Sequence, residues 1–119
     1  MGITSYRDLT VWQKSIQLVK AVYEVTEHFP KSEQCNLVSQ MRRCAVSIPS
    51  NIAEGQRRSS RKDFRHFLFH AFGSGAELET QIEIAKQLPF GAGLQYEQAD
   101  QLLSEVMKML NVLITKLDE

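Results

Sequence analysis

The chain has 119 residues, of which 43% are hydrophobic and 24% charged, and its formal net charge is zero. This length predicts one domain, residues 1–119, and the composition excludes global disorder, collagen-like repeats and a disulfide-dense scaffold. No apolar run approaches the roughly 18–20 residues that span a bilayer, and the first residues lack the apolar stretch of a signal peptide, so we expect a cytoplasmic protein with no membrane contact.

The first predicted helix covers about residues 9–28. Residues recur along it at alternating spacings of three and four, as in helices packed along a bundle; the row consists of Leu9, Trp12, Ile16, Val19, Tyr23 and Thr26. The apolar face is widened by four neighbouring residues, Val11, Leu18, Val22 and Val25. Pro30 ends the helix, because the residue before a proline is disfavoured in the helical conformation.

The second predicted helix covers about residues 33–55, with Ser32 as its cap. Its apolar spacing continues through Pro49, a residue that removes one backbone hydrogen bond and clashes with the preceding turn. A broken helix and a kinked continuous helix are both compatible with this proline. Ile48 and Ile52 keep the i, i+4 spacing across it, so the sequence favours a helix kinked at Pro49.

The third predicted helix covers about residues 60–88 and contains the longest periodic run of the chain. Ser60 and Asp63 resemble a capping box at its start. Gly73 and Gly75 lie in its middle, where each costs about 1 kcal/mol relative to alanine. Small residues inside a helix permit the close approach of a second helix, and we expect that role here.

A fourth helix is predicted over about residues 95–117, after the break at residues 89–93, PFGAG. No strand-period alternation of useful length is present. Four long helices with short connections predict an all-α fold, an antiparallel up-down-up-down four-helix bundle.

Residues capable of catalysis or metal binding do not converge in the sequence. Cys35 and Cys44 are nine residues apart on one predicted helix and cannot pair within the chain, so we expect two reduced thiols. His66 and His70 have i, i+4 spacing but lack the glutamate of the HExxH motif. We therefore predict no catalytic residues, no metal site, no cofactor and no enzymatic activity.

Charge is segregated along the chain: residues 42–65 carry seven basic and two acidic side chains, whereas residues 77–119 carry three basic and eight acidic ones. Five basic residues lie at the junction of the second and third helices: Arg57, Arg58, Arg61, Lys62 and Arg65. They are candidates for contact with a nucleic-acid backbone, since arginine suits phosphate. Alternatively they pair with the acidic residues 77–119, within one subunit or between subunits. We find no aromatic stacking platform interleaved with these arginines, so base-specific readout is unsupported.

A second group of charges is interpreted as structural. Two adjacent arginines lie near the apolar face of the second helix, and a buried charge needs a partner. The predicted ion-pair residues are Arg42, Arg43, Glu54, Glu77 and Glu79.

Several segments resemble one known family. They are residues 6–14, YRDLTVWQK; residues 29–30, FP; residues 40–55, QMRRCAVSIPSNIAEG; and residues 73–81, GSGAELETQ. These resemble the bacterial four-helix-bundle family of 23S rRNA intervening-sequence proteins, also called the S23 family, and the similarity extends from residue 6 to about 117. Cys44 stands where the family usually has alanine, and Gly75 stands where many members have a bulky residue.

The resemblance implies an antiparallel four-helix bundle that assembles as a homopentameric ring with a central channel. Some members are encoded within insertions in large-subunit ribosomal RNA genes. Related accessory proteins of diversity-generating retroelements bind nucleic acid and a reverse transcriptase through basic surfaces. The family brings no catalytic residues.

Two functional hypotheses follow. The first is a non-enzymatic, homopentameric bundle that binds RNA or DNA backbone through the five basic residues at the helix junction. The alternative is a structural or adaptor protein that binds a protein partner, with the arginines used in ion pairs within or between subunits. The neutral total charge and the missing stacking aromatics favour the alternative, whereas the local basic surplus and the resemblance favour the first.

Overall fold

Four α-helices make up most of the computed structural model, which describes residues 5–118. They are α1 (Thr10–Thr26), α2 (Ser39–Gln56), α3 (Arg61–Gln87) and α4 (Glu97–Asp118). No strand occurs within the described residues. The predicted all-α fold is confirmed.

The helices form an antiparallel bundle in chain order. Each helix packs against the next one, and α4 packs back against α1, which closes the ring of four. The molecule is a rod of 50 × 21 × 19 Å. This topology brings the C-terminal end of α2, the N-terminal end of α3 and the C-terminal end of α4 together at one end of the rod.

The core runs along the axis between the four helices. Twenty-four buried hydrophobic residues form it, and its largest fully buried side chains include Leu18, Met41, Ile48, Ile52, Leu68, Leu78 and Leu110. On α2, α3 and α4 the buried rows follow the predicted periodicity. The side chains of this core supply the burial that stabilises the bundle.

On α1 the buried face lies beside the predicted row. The residues at its centre are Leu18 and Val22, which are fully buried, whereas Tyr23 is 43% exposed. Ser15 also lies at the helix interface; it is buried, and its hydroxyl donates to the Trp12 carbonyl at 2.7 Å. Both rows of α1 are apolar, so periodicity alone did not distinguish the buried row from its neighbour.

The segment before α2 is less regular than predicted. A 3₁₀ turn (Lys31–Glu33) and a π-helical turn (Gln34–Val38) precede the α-helix. Asn36 has φ −115° and ψ −106°, outside the helical region, so the regular helix begins only at Ser39. The Glu33 carboxylate accepts from the Leu37 amide at 3.3 Å, which supplies an acceptor inside this irregular stretch.

α2 continues through Pro49, which is buried inside the helix. Side chains around the proline bond to the backbone of the preceding turn. The Ser50 hydroxyl donates to the Val46 carbonyl at 2.8 Å, and the Asn51 amide donates to the Ser47 carbonyl at 2.8 Å. Both bonds lie within the turn in which the proline removes one backbone donor.

Two glycines lie at close contacts between helices. A Cβ atom added at Gly55 would lie 2.7 Å from Phe67 Cβ, so α2 and α3 approach closely there. A Cβ atom added at Gly75 would collide with Met107 of α4. Gly73, in contrast, has nothing within 4 Å of an added Cβ atom. Of the two predicted mid-helix glycines, only Gly75 therefore serves a close helix approach.

Candidate functional site

The five predicted basic residues lie together at one end of the rod, and we call Arg57, Arg58, Arg61, Lys62 and Arg65 the basic surface. Residues 57–60 link α2 to α3, and the Ser60 hydroxyl caps α3 by accepting from the Asp63 amide at 3.0 Å. This is the Ser60 half of the predicted capping box, and it uses the backbone amide of Asp63. Four of the five basic residues are exposed, and Arg65 is half-buried.

Two arginines of the basic surface contact groups near their own turn. Arg58 forms an ion pair with Glu54 at 2.9 Å, one helical turn earlier, and its guanidinium lies 4.8 Å from the Phe67 ring centre. Both members of this ion pair are about half exposed, so its contribution to stability is small. The Arg57 guanidinium lies 5.4 Å from the Tyr6 ring centre.

Two other arginines bind the C-terminal end of α4. Arg61 donates to the Lys116 carbonyl at 3.0 Å, and Arg65 donates to the Ile114 carbonyl at 2.9 Å. Arg65 also forms an ion pair with Asp118 at 3.7 Å. The C-terminal end of a helix carries partial negative charge, which favours cationic donors there. The Lys116 carbonyl is also one of the last four of α4, which have no intrahelical partner. Sequence reasoning missed these carbonyl contacts, although antiparallel packing of α3 on α4 implies them. The Arg65–Asp118 ion pair, in contrast, is of the kind that the alternative interpretation predicted between the basic residues and residues 77–119.

Positive charge remains on the basic surface after these contacts. Within residues 5–118, Arg57, Arg61 and Lys62 form no ion pair with a carboxylate. The carbonyl that Arg61 binds does not neutralise its charge. The basic surface therefore presents at least three uncompensated cations to solvent among the described residues.

The two adjacent arginines of α2, Arg42 and Arg43, have different surroundings. Arg42 reaches the C-terminal end of α1, where it donates to Thr26 Oγ1 at 2.9 Å and to the Tyr23 carbonyl at 3.3 Å. It forms an ion pair with Glu27 at 3.2 Å, and its guanidinium lies 4.2 Å from the Tyr23 ring centre. Arg43 is exposed and forms no ion pair in the part of the chain that the structure describes.

The predicted acidic partners are placed elsewhere. Glu54 pairs with Arg58 rather than with either arginine of the 42–43 pair. Glu77 and Glu79 are exposed on α3, and neither forms an ion pair with another described residue. The partner that the structure shows for Arg42, Glu27, lies just past the last residue of α1 and was not considered from the sequence.

A short polar row joins α2 to α3 beside the core. The hydroxyls of Ser47 and Ser74 lie 2.9 Å apart, and the Gln81 amide donates to Cys44 Sγ at 3.5 Å. Burial, more than any other cause, raises the pKa of the Cys44 thiol above its ordinary value, while the hydrogen bond from Gln81 opposes that rise. A thiol with a raised pKa is a poor nucleophile at neutral pH, and Cys44 packs against the hydrophobic core.

The histidine pair lies on the exposed side of α3. The Nε2 atoms of His66 and His70 are 3.2 Å apart. No group of three or more side chains that could hold a metal ion is found within residues 5–118. In the same range, no helix combines the length and the apolar character needed to cross a membrane.

The chain matches a known protein family. A family model described as 23S rRNA-intervening sequence protein matches residues 7–112, a span that contains the whole basic surface and most of all four helices. The matched family is not a known enzyme family. No curated protein matches the chain.

Proposed function

The chain belongs to the 23S rRNA-intervening sequence protein family, and from its charge distribution we propose that it is a non-enzymatic protein that binds the phosphate backbone of RNA or DNA. The observation that carries this proposal is the cluster of uncompensated cations at one end of the rod, Arg57, Arg61 and Lys62. Clustered arginine and lysine side chains displace counterions from a nucleic acid and gain affinity by doing so.

The five basic residues differ in the contacts that their side chains make within the chain. Arg58 and Arg65 hold intrachain carboxylates, and Arg61 holds a carbonyl of α4. Arg57 and Lys62 are exposed and have no hydrogen bond to another described side chain. We therefore assign the main phosphate contacts to Arg57 and Lys62, with Arg61 contributing through donors that it does not use on α4.

The test is a matched pair of charge reversals. Arg57→Glu with Lys62→Glu removes two proposed phosphate contacts and changes the net charge by about four units. Lys20→Glu with Lys31→Glu makes the same change at two exposed lysines outside the basic surface. Fluorescence anisotropy of a labelled 20-nucleotide strand, titrated at several salt concentrations, measures both the affinity and its salt dependence.

We expect wild-type binding to weaken steeply between 50 and 200 mM salt. The R57E/K62E variant should bind at least tenfold more weakly at low salt, with the slope of log affinity against log salt reduced by about 2. The K20E/K31E variant should keep most of the affinity. Absence of wild-type binding at low salt, or equal losses in both variants, contradicts the assignment.

We also propose that the protein acts as a homopentamer in the cytoplasm. The family resemblance supports the pentamer. An apolar groove of about 370 Å³ between the start of α1 and α4, beside the 53% exposed Val112, offers a surface for a neighbouring subunit. Cys35 is an exposed free thiol, which suits a reducing compartment.

The rival function, an adaptor that binds a protein partner, is favoured by a specific observation. The ion pairs Arg58–Glu54 and Arg65–Asp118 use two arginines of the basic surface within the chain, as that hypothesis requires. The two functions differ in the anisotropy experiment, because an adaptor of this kind gives no salt-dependent binding of a bare strand.

A further inference from the structure

An exposed aromatic side chain lies beside the basic surface. Phe69 of α3 is 48% exposed, although a large apolar ring is normally buried. It lies one turn after Arg65 on the same helix, and the Arg65 guanidinium is 4.9 Å from its ring centre. A surface depression of about 420 Å³ is lined by Lys62, Asp63, Arg65, His66 and Phe69. An exposed aromatic ring therefore lies next to the basic surface, a neighbour that the sequence analysis did not identify.

The arginine that covers part of this ring is held in place. Arg65 Nε donates to the Ile114 carbonyl at 2.9 Å, and Arg65 Nη2 lies 3.7 Å from Asp118. These contacts with α4 fix the guanidinium, so the ring of Phe69 and its cationic neighbour form an ordered pair. Little side-chain freedom would be lost if a ligand covered the rest of the ring.

The chemistry of the depression selects one form of nucleic acid. A phenylalanine ring offers a stacking surface to any base but no hydrogen bond that reads its identity. In a duplex the bases are already stacked inside the helix, so only phosphates reach a convex protein surface such as the side of α3. In a single strand the bases are free to stack on an aromatic ring while nearby cations bind the phosphates.

We propose that the basic surface binds single-stranded nucleic acid, with one base stacked on Phe69 and the adjoining phosphate bound by Lys62. This inference rests on the proposed function and adds to it the form of the ligand and a residue that determines specificity. Among the described residues, Asp63 is the only acidic one that lines the depression. Its carboxylate disfavours phosphate on its own side, which directs the backbone toward Lys62.

The test compares a single strand with a duplex on three variants. Phe69→Ala removes the stacking surface, and Phe69→Trp keeps and enlarges it. Ile84→Ala is the matched control, because Ile84 is 45% exposed on the same helix but more than three turns away. Anisotropy is measured with a labelled 12-nucleotide single strand and with a hairpin duplex of similar composition at low salt.

We expect wild type to bind the single strand more tightly than the duplex. F69A should lose about 5- to 150-fold in affinity for the single strand, the range for one base stacked on an aromatic ring, and should keep its duplex affinity. F69W should restore or exceed wild-type binding, and I84A should match wild type on both ligands.

Each other outcome overturns the inference in a recognisable way. Unchanged single-strand binding by F69A, with R57E/K62E still defective, rejects the stacking role and leaves the proposed function standing. Equal losses by F69A on single strand and duplex also reject it. A fall in the molecular mass of F69A, measured by light scattering, identifies Phe69 as a subunit contact instead. No wild-type binding to either ligand overturns the proposed function together with this inference.

Discussion

At the scale of single residues, the glycines inside helices show how local space decides the effect of one methyl group. A Cβ atom added at Gly73 meets nothing within 4 Å, whereas one added at Gly55 lies 2.7 Å from Phe67 Cβ and 3.3 Å from the Phe64 carbonyl oxygen. Phe67 Cβ and the Phe64 backbone cannot swing away as the end of a flexible side chain can. Replacing glycine by alanine should therefore change the free energy of unfolding in opposite directions at the two positions.

We predict that Gly73→Ala raises the free energy of unfolding by about 0.5–1 kcal/mol, because alanine restricts the unfolded chain and favours the helix. Gly55→Ala should lower it by about 1–3 kcal/mol through overpacking between α2 and α3. Urea denaturation followed by circular dichroism measures both values under one set of conditions. A stabilised Gly55 variant would mean that α3 moves away from α2 at little cost.

At the scale of elements, arginines at helix ends connect neighbouring helices. Arg42 of α2 binds the C-terminal end of α1, and Arg61 and Arg65 of α3 bind that of α4. In each case a long cationic side chain donates to a carbonyl near the C-terminal end of a helix, where the helix carries partial negative charge. The arrangement repeats because antiparallel packing places the beginning of one helix beside the end of another.

The adjacent arginines of α2 allow a matched test of this arrangement. Arg42→Lys keeps the charge but loses the planar fork that reaches Thr26, the Tyr23 carbonyl and Glu27 together, so we predict a loss of about 1–2 kcal/mol in the free energy of unfolding. Arg43→Lys, at an exposed position, should change it by less than about 0.5 kcal/mol. Chemical denaturation of both variants gives the comparison, and equal values would show that the Arg42 contacts contribute nothing beyond charge.

The helices themselves could be predicted from the sequence, because apolar periodicity is a local property of each segment. The start of α2 could not, since Gln34–Val38 keeps helix-like residues while Asn36 leaves the helical region. On α1 the predicted face included most of the buried residues, but its centre was assigned to the neighbouring row, because two adjacent rows are both apolar and only packing chooses between them.

The candidate site was predicted only in part, for a related reason. The five cations of the basic surface are clustered in the sequence itself, so their proximity follows directly. The partners of these cations could not be identified in this way. Ile114, Lys116 and Asp118 are about 50 residues away in the sequence and contact α3 only because the chain folds. The exposure of Phe69 likewise depends on which side of α3 faces solvent, and neighbouring phenylalanines at 64 and 67 are partly buried.

At the scale of the whole molecule, the fold keeps the basic residues that cluster in the sequence together at one end of the bundle. The basic surface lies at one end of a rod 50 Å long. The opposite end, where α1 meets the start of α4, has a depression of about 690 Å³ whose lining includes Glu24 and Glu97. A neutral chain thus presents a local positive potential that can attract an anionic strand.

Assembly of several subunits would place several basic surfaces on one particle. The proposed homopentamer would have five basic surfaces on one particle and a mass of five times 13.6 kDa, about 68 kDa. If the five surfaces face the same side of the ring, a strand long enough to reach several of them binds more tightly than a short one, because each further contact is intramolecular.

We therefore predict a mass near 68 kDa by sedimentation equilibrium and at least a tenfold gain in affinity from an 8-nucleotide to a 40-nucleotide strand. Val112→Glu, in the apolar groove beside α1, should lower the mass if the groove is the subunit contact, and should then abolish the length dependence while leaving 8-nucleotide binding intact. A wild-type mass of 13.6 kDa at micromolar concentration would contradict the pentamer, and a pentamer without length dependence would place the basic surfaces too far apart for one strand to bridge.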